Sequence, residues 1–155
     1  MHDIRIRAAG LEDIPQVMYH RRSMFAEMGR DDAAGQEKML ETTQAYLCAA
    51  ISSGGYIGWL AETGEGRVVA GVGVAIAAWP GSPDDPTPRR GCVINVYTEP
   101  EFRRQGIARR LMDTLIAWCR EQGFRSVSLH ASDFGRTLYE DLGFRPTNEM
   151  RLYLK

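Results

Sequence analysis

Arg103, Arg104, Arg109 and Arg110 crowd around Gly106, and residues of these types at this spacing can bind a phosphorylated ligand. Guanidinium groups bring full charge and paired donors that grip a diphosphate. Glycine in the turn leaves backbone N–H groups open to an anion. Ile107, Ala108, Leu111, Met112, Leu115, Ile116 and Cys119 recur at three- and four-residue steps, so a helix with one apolar stripe starts at the turn and Gly123 ends it. Its first N–H groups lack internal partners, and the helix dipole is positive there. A solvated basic turn is the alternative, but arginine at a helix start opposes the dipole, and an anion removes that conflict.

The elements that must position this turn follow from pattern. Before it, Cys92–Thr98 is β-branched and aromatic and reads as a buried strand broken at Glu99-Pro100. A strand feeding a helix through a glycine turn suggests two common phosphate motifs, and neither is present. A P-loop needs Gly-Lys-Ser/Thr, whereas Gly106 is followed by Ile107, Ala108 and Arg109. A dinucleotide fingerprint needs more glycines and an acidic residue after the next strand, where His130 stands.

Upstream, Ile4–Ala8 reads as a strand. Leu11, Ile14, Val17, Met18, Met24, Phe25 and Met28 suggest a helix from near Glu12, with Pro15 in its first turn. Asp31 or Asp32 caps a second helix that runs to Gly54-Gly55. Tyr56–Glu62 and Arg67–Ala77 form a hairpin around Thr63-Gly64-Glu65-Gly66, and Gly71, Gly73 and Ala75 leave one face of its second strand small enough for close packing. Trp79–Arg90 carries four prolines and Asp84-Asp85, so it is an irregular loop, read as a surface connection, an acceptor contact or a homodimer contact. Downstream, Ser126–Ala131 is the next strand, Ser132 or Asp133 caps a short helix ending at Gly143, and Met150, Leu152 and Leu154 alternate as a terminal strand.

The turn resembles the signature of the GNAT superfamily of N-acetyltransferases, Arg/Gln-x-x-Gly-x-Gly/Ala, with Arg103, Gly106 and Ala108 at the defining positions. Leu138-Tyr139-Glu140-Asp141-Leu142-Gly143-Phe144 resembles the family's second recurring segment, and the likeness covers roughly Arg67 to the C-terminus. It implies an α/β fold of the α+β mixed-sheet type: a central mixed sheet flanked by helices, with two parallel strands, Val93–Thr98 and Ser126–Ala131, splayed where acetyl-CoA enters. A bulge in the first strand would free Val96, Tyr97 and Thr98 to pair with pantetheine. Arg103, Arg104, Gln105, Gly106, Ile107, Ala108 and Arg109 would hold the diphosphate. Ser132, Gly135, Arg136 and Tyr139 would share a face toward the cofactor, although many family members have Asn where Ser132 stands.

The implied reaction moves acetyl from acetyl-CoA to an amine of a small molecule or peptide by direct attack, with Tyr139 as the general acid. A non-catalytic acyl-CoA sensor or interaction module on the same fold is the alternative. An alkylammonium with a pKa near 10.4 is neutral about once in a few thousand molecules at pH 7, which costs about 4–5 kcal/mol. Glu27, Glu99, His130 or an ordered water chain are the candidates to take that proton.

Composition bounds the remainder. The chain has 155 residues, 44% hydrophobic, and a net charge of −1, which suits one domain spanning 1–155 and argues against bulk electrostatic binding of nucleic acid. The N-terminal alternation Ile4-Arg5-Ile6-Arg7 has no long apolar run, so neither a membrane span nor a leader is expected, and a cytoplasmic location is. Cys48, Cys92 and Cys119 lack disulfide-scaffold or metal spacing and read as free, mostly buried thiols, with no metal site.

Overall fold

A computed structural model describes residues 3–154. β1 (Ile4–Ala8), β2 (Tyr56–Thr63), β3 (Val68–Ala78), β4 (Arg89–Thr98) and β5 (Val127–Leu129) lie side by side in chain order. The first four are antiparallel neighbours, whereas β4 and β5 are parallel. α1 (Ile14–Glu27) and α2 (Ala33–Ser53) cover one face of this mixed sheet through Ile14, Val17, Leu47, Ala50 and Tyr56. The other face receives α3 (Ile107–Glu121) and α4 (Arg136–Asp141).

Local chemistry explains the boundaries. Asp32 caps α2 by accepting from the Gly35 N–H at 2.8 Å, and Gly54 ends it in the left-handed conformation at φ 79°. The α3 stripe is buried as the spacing requires, with Leu111, Met112 and Leu115 at 1% exposure or less. Each such side chain contributes about 1.5–3 kcal/mol by leaving water. The small residues of β3 also have specific occupants. A Cβ on Gly71 would lie 2.9 Å from His20 Nδ1, and one on Gly73 would lie 2.1 Å from the Tyr56 hydroxyl. Glycine therefore admits a helix side chain at one position and a tyrosine head at the other.

Several boundaries differ from expectation. β4 begins at Arg89, so the proline-rich loop is shorter and is bonded to itself, with the Trp79 N–H donating to Pro88 O at 3.0 Å and Ser82 N–H to Asp85 O at 2.8 Å. Ser126–Ala131 pairs only over Val127–Leu129. Met150, Leu152 and Leu154 form no strand and are 94%, 81% and 86% exposed. Alternation signals a strand only where a neighbouring edge and an apolar face await it, and three-residue β5 offers too short an edge. The thiols divide too: Cys119 is buried, Cys92 is half-buried and Cys48 is exposed. Among the described residues no helix is long and apolar enough to cross a membrane.

Two groups make the fold sensitive to acid in separate windows. Burial pushes the His20 imidazole down to about 4, so as pH falls below about 6.5 the unfolded chain takes up a proton before the folded one does. Arg7 donates to both oxygens of Asp13 at 2.9 Å and, through Nε, to Glu62 at 2.8 Å. These hydrogen bonds hold both carboxyls below their ordinary values. Their contribution is complete above about pH 5 and is lost as pH falls through the depressed values. Urea unfolding from about pH 7.5 to about pH 3 should therefore show a loss of about 2–3 kcal/mol between about pH 6.5 and 4, then a further decline. His20→Phe should flatten the upper segment, and Arg7→Gln the lower one. An unchanged upper slope in His20→Phe would assign that window to another group.

Candidate active site

The pairing of β4 with β5 stops at Val93 and Leu129, and beyond that point the outer edge of β4 has no strand partner among the described residues. On the opposite edge, Gly71 faces Tyr97 while Gly73 faces Ile94, so Asn95 and Val96 together oppose Val72 alone. That is a one-residue bulge, and Asn95 takes φ 59° to make it. Of the expected segment, Val96 is the second residue of the bulge, and Tyr97 and Thr98 lie just past it. The Asn95 side chain is almost fully buried; its Oδ1 accepts from Arg21 Nη1 at 2.9 Å and its Nδ2 donates to the Tyr56 hydroxyl at 3.2 Å. Sequence reading passed over Asn95 and Arg21. The available signal was a polar residue interrupting a β-branched run.

After Thr98 the chain makes a short 3-10 turn, Pro100–Phe102, and enters the arginine turn. Arg104 at φ 59° and Gly106 at φ 77° are both left-handed, and a Cβ on Gly106 would meet nothing within 4 Å. Gly106 is thus required by conformation, and the space in front of it is open. α3 has no side-chain cap, and its first internal bond runs from the Arg110 N–H to Gly106 O at 3.1 Å. The N–H groups of Ile107, Ala108 and Arg109 therefore begin the helix without helical partners. Ile107 can offer only its N–H, because its side chain is in the core.

The four arginines divide into two pairs. Arg103 donates through Nε to Thr98 O at 2.9 Å and through Nη2 to Glu27 at 2.7 and 2.8 Å, which ties the turn to the free edge of β4 and to α1. Arg110 donates to Ile4 O at 2.9 Å. Arg104 and Arg109 are exposed and have no ion-pair partner among the described residues. Gln105 reaches back to Glu101 O at 3.3 Å.

Across the gap, α4 begins only at Arg136, so Ser132 and Gly135 belong to the preceding turn, where Ser132 Oγ accepts from the Gly135 N–H at 3.3 Å. Tyr139 is buried against Phe144, with ring centroids 5.9 Å apart. Burial raises its pKa, so it stays protonated, and its hydroxyl has no hydrogen-bond partner among the described residues. A Cβ on Gly135 would lie 2.6 Å from the ring; glycine there makes room for it. Arg136 and Tyr139 line a cleft of about 680 Å³ with Ile116, Phe124, Leu129 and Phe144. Val96–Thr98 and the Arg103–Ala108 turn do not border that cleft.

The base candidates separate as well. Glu27 is engaged by Arg103. His130 is exposed beyond the end of β5, 2.8 Å from Arg151 Nη2 and 3.5 Å from Glu149, instead of half-buried on a strand. Glu99 is buried and accepts from the Tyr97 hydroxyl at 3.4 Å. Burial, followed by the Glu99 charge, pushes that hydroxyl up to about 12. Tyr97 stacks against His20 at 5.1 Å, so α1 packs closely on this end of β4. The 79–88 loop sits elsewhere. It adjoins the start of β4, where Arg89 bonds Gln122 O and Arg125 bonds Asp84 O, about 20 Å along the strand from the bulge.

Comparison with known proteins agrees with this geometry. A GCN5-related N-acetyltransferase from Ralstonia eutropha JMP134 superposes with a TM-score of 0.91 at 33% identity, covering 98% of this chain and 99% of that one. An acetyltransferase from Clostridium acetobutylicum, solved with acetyl-CoA, gives 0.87 at 27% identity, covering 99% and 96%. Human N-acetyltransferase 8 is 34% identical over 116 residues, 72% of this chain and 46% of that protein. The chain thus spans about half the length of the curated relatives it matches. The family model "Acetyltransferase (GNAT) family" matches residues 18–144, which extends the likeness back into α1. With a bulged strand opening onto an uncapped, arginine-flanked helix start, and a family match from residue 18 to 144, this chain belongs to the GNAT family of acetyltransferases.

Proposed function

We propose that this protein transfers acetyl from acetyl-CoA to an amine of a small molecule or peptide. One observation carries the reading: Arg103 joins the unpaired edge of β4 to the uncapped start of α3, so backbone donors and acceptors for an extended arm lead straight to donors for a diphosphate. The residues fit such a ligand. Val96, Tyr97 and Thr98 offer strand-like pairing to pantetheine. The N–H groups of Ile107, Ala108 and Arg109, with the Arg104 and Arg109 side chains, offer an anion site before open space at Gly106. By the family resemblance, Ser132 and Arg136 would meet the cofactor arm from the α4 side.

Bound acetyl-CoA supplies an acyl thioester. As the amine nitrogen forms its C–N bond and the C–S bond breaks, the ammonium proton leaves to a base and the departing thiolate takes one from an acid. Tyr139 suits the second role, being protonated and without a hydrogen-bond acceptor among the described residues. Proton transfer from a phenol near 10 to a thiolate near 8.5 is uphill by about 2 kcal/mol in water, so the surroundings must raise the thiol pKa or let a strong hydrogen bond suffice. For the first role Glu99 is favoured, since Glu27 is paired, His130 lies at the surface and His20, at about 4, is too weak a base. The three free thiols accord with a cytoplasmic setting.

Replacing Arg104 and Arg109 together with alanine should weaken acetyl-CoA about tenfold in calorimetry, with a salt dependence that the variant loses. Equal affinity at low salt would move the diphosphate away from this turn. Tyr139→Phe should lower turnover by about a hundredfold or more while acetyl-CoA affinity changes little. Turnover within about twofold of the parent, when chemistry limits the rate, would remove Tyr139 from the role of acid. Tight CoA binding with no CoA release across an amine panel would favour the sensor reading instead.

A further inference from the structure

Arg21 is a cation without an anion. It projects from α1 toward the bulge, and Nη1 donates to Asn95 Oδ1 at 2.9 Å, while Nε is buried and has no partner among the described residues. Its guanidinium lies 5.0 Å from the centre of the Phe25 ring, and that of Arg30 lies 4.9 Å from the same ring. No ion pair among the described residues includes either arginine. Two like charges have been brought to one aromatic ring, one of them largely withdrawn from water, and no carboxylate answers them. Supporting the bulge does not require this, because a neutral amide would donate to Asn95 equally well and without the repulsion.

The location gives the charge a purpose. Asn95 stands at the closed end of the free β4 edge, two residues past the last pair with β5, so a group bound at Arg21 sits beside the inner end of the arm-binding edge. Phe25 and the half-exposed Tyr46 flank it with apolar surface. A carboxylate matches the planar fork of a guanidinium that still has donors to give.

We propose that Arg21, backed by Arg30, binds a carboxylate on the acceptor, so that the preferred acceptor is an amino acid or a close derivative with an apolar side chain. This rests on the acetyl-transfer reading above and adds the acceptor class to it. The amine is held next to the acetyl group because its own carboxylate is anchored at the bulge.

Matched acceptor pairs test it: L-phenylalanine against phenethylamine, and L-leucine against isoamylamine, each followed by CoA release. The carboxylate member should be favoured at least about tenfold in kcat/KM. Arg21→Gln should abolish that preference mainly through KM, bringing the two members of each pair within about twofold of one another, and Arg21→Lys should restore part of it. Calorimetry supplies a readout without turnover: with CoA present, N-acetyl-L-phenylalanine should bind about tenfold tighter than N-acetylphenethylamine, and Arg21→Gln should equalise them. A parent enzyme that acetylates both members equally overturns the carboxylate site and leaves the transferase reading intact. An equal loss for both members in Arg21→Gln overturns recognition and makes Arg21 a support for Asn95. If no amine releases CoA, the transfer reading itself fails, and the calorimetric pair decides whether the anion site exists.

Discussion

The interruption of strand pairing at Asn95 is the constraint on which the rest of the site depends. A non-glycine residue in the left-handed region costs about 1–2 kcal/mol, and Asn95 holds that conformation inside a sheet. Its side chain is gripped from both sides, by the Arg21 guanidinium and the Tyr56 hydroxyl. Tyr56 is itself buried, and its head fits only because Gly73 presents no side chain beneath it. Helix, bulge and neighbouring strand are thus locked through four residues. Without that lock β4 would run on in register, and its edge would be free to pair with a longer β5.

Electrostatics follows the same division between groups that hold the fold and groups left available. Arg7 is consumed by Asp13 and Glu62, Arg110 by the Ile4 carbonyl, and Arg103 by Thr98 and Glu27. These ties set the turn against the first helix and the first strand. Arg104 and Arg109 remain exposed at the open start of α3, where the dipole disfavours a cation and favours an anion. Because Arg103 is already engaged, its part at the turn is positioning more than charge.

Rigid packing underlies both. The α3 stripe, with Phe102 and Phe124 at its ends, seals one face of the sheet, so the N-terminus of the helix cannot drift from the end of β4. On the other face His20 and Tyr97 stack where Gly71 allows α1 to come close. The site therefore stands on a strand end and a helix start that are each anchored by buried side chains, and the irregular 79–88 loop adjoins the other end of β4.

The amino-acid sequence by itself determined the elements and the chemical character of the turn. Apolar spacing along Ile107–Cys119, the cap at Asp32 and the glycine at 106 are local signals, and local backbone and burial rules suffice to read them. Recurring segments around Arg103–Ala108 and Leu138–Phe144 carried the family. What only the tertiary structure decided was which like residues differ in role. Nothing in local spacing separates Arg103 from Arg104, or marks Glu27 as bound by an arginine and Glu99 as buried, because the partners lie far away in the chain. The bulge fell at Asn95 and Val96, taking in only the first of the three expected residues, since its position depends on two-against-one register with Val72. Met150–Leu154 had the alternation of a strand and no edge to join. Pairing, register and burial are properties of the neighbour as much as of the residue, and the neighbour is known only once the chain has folded.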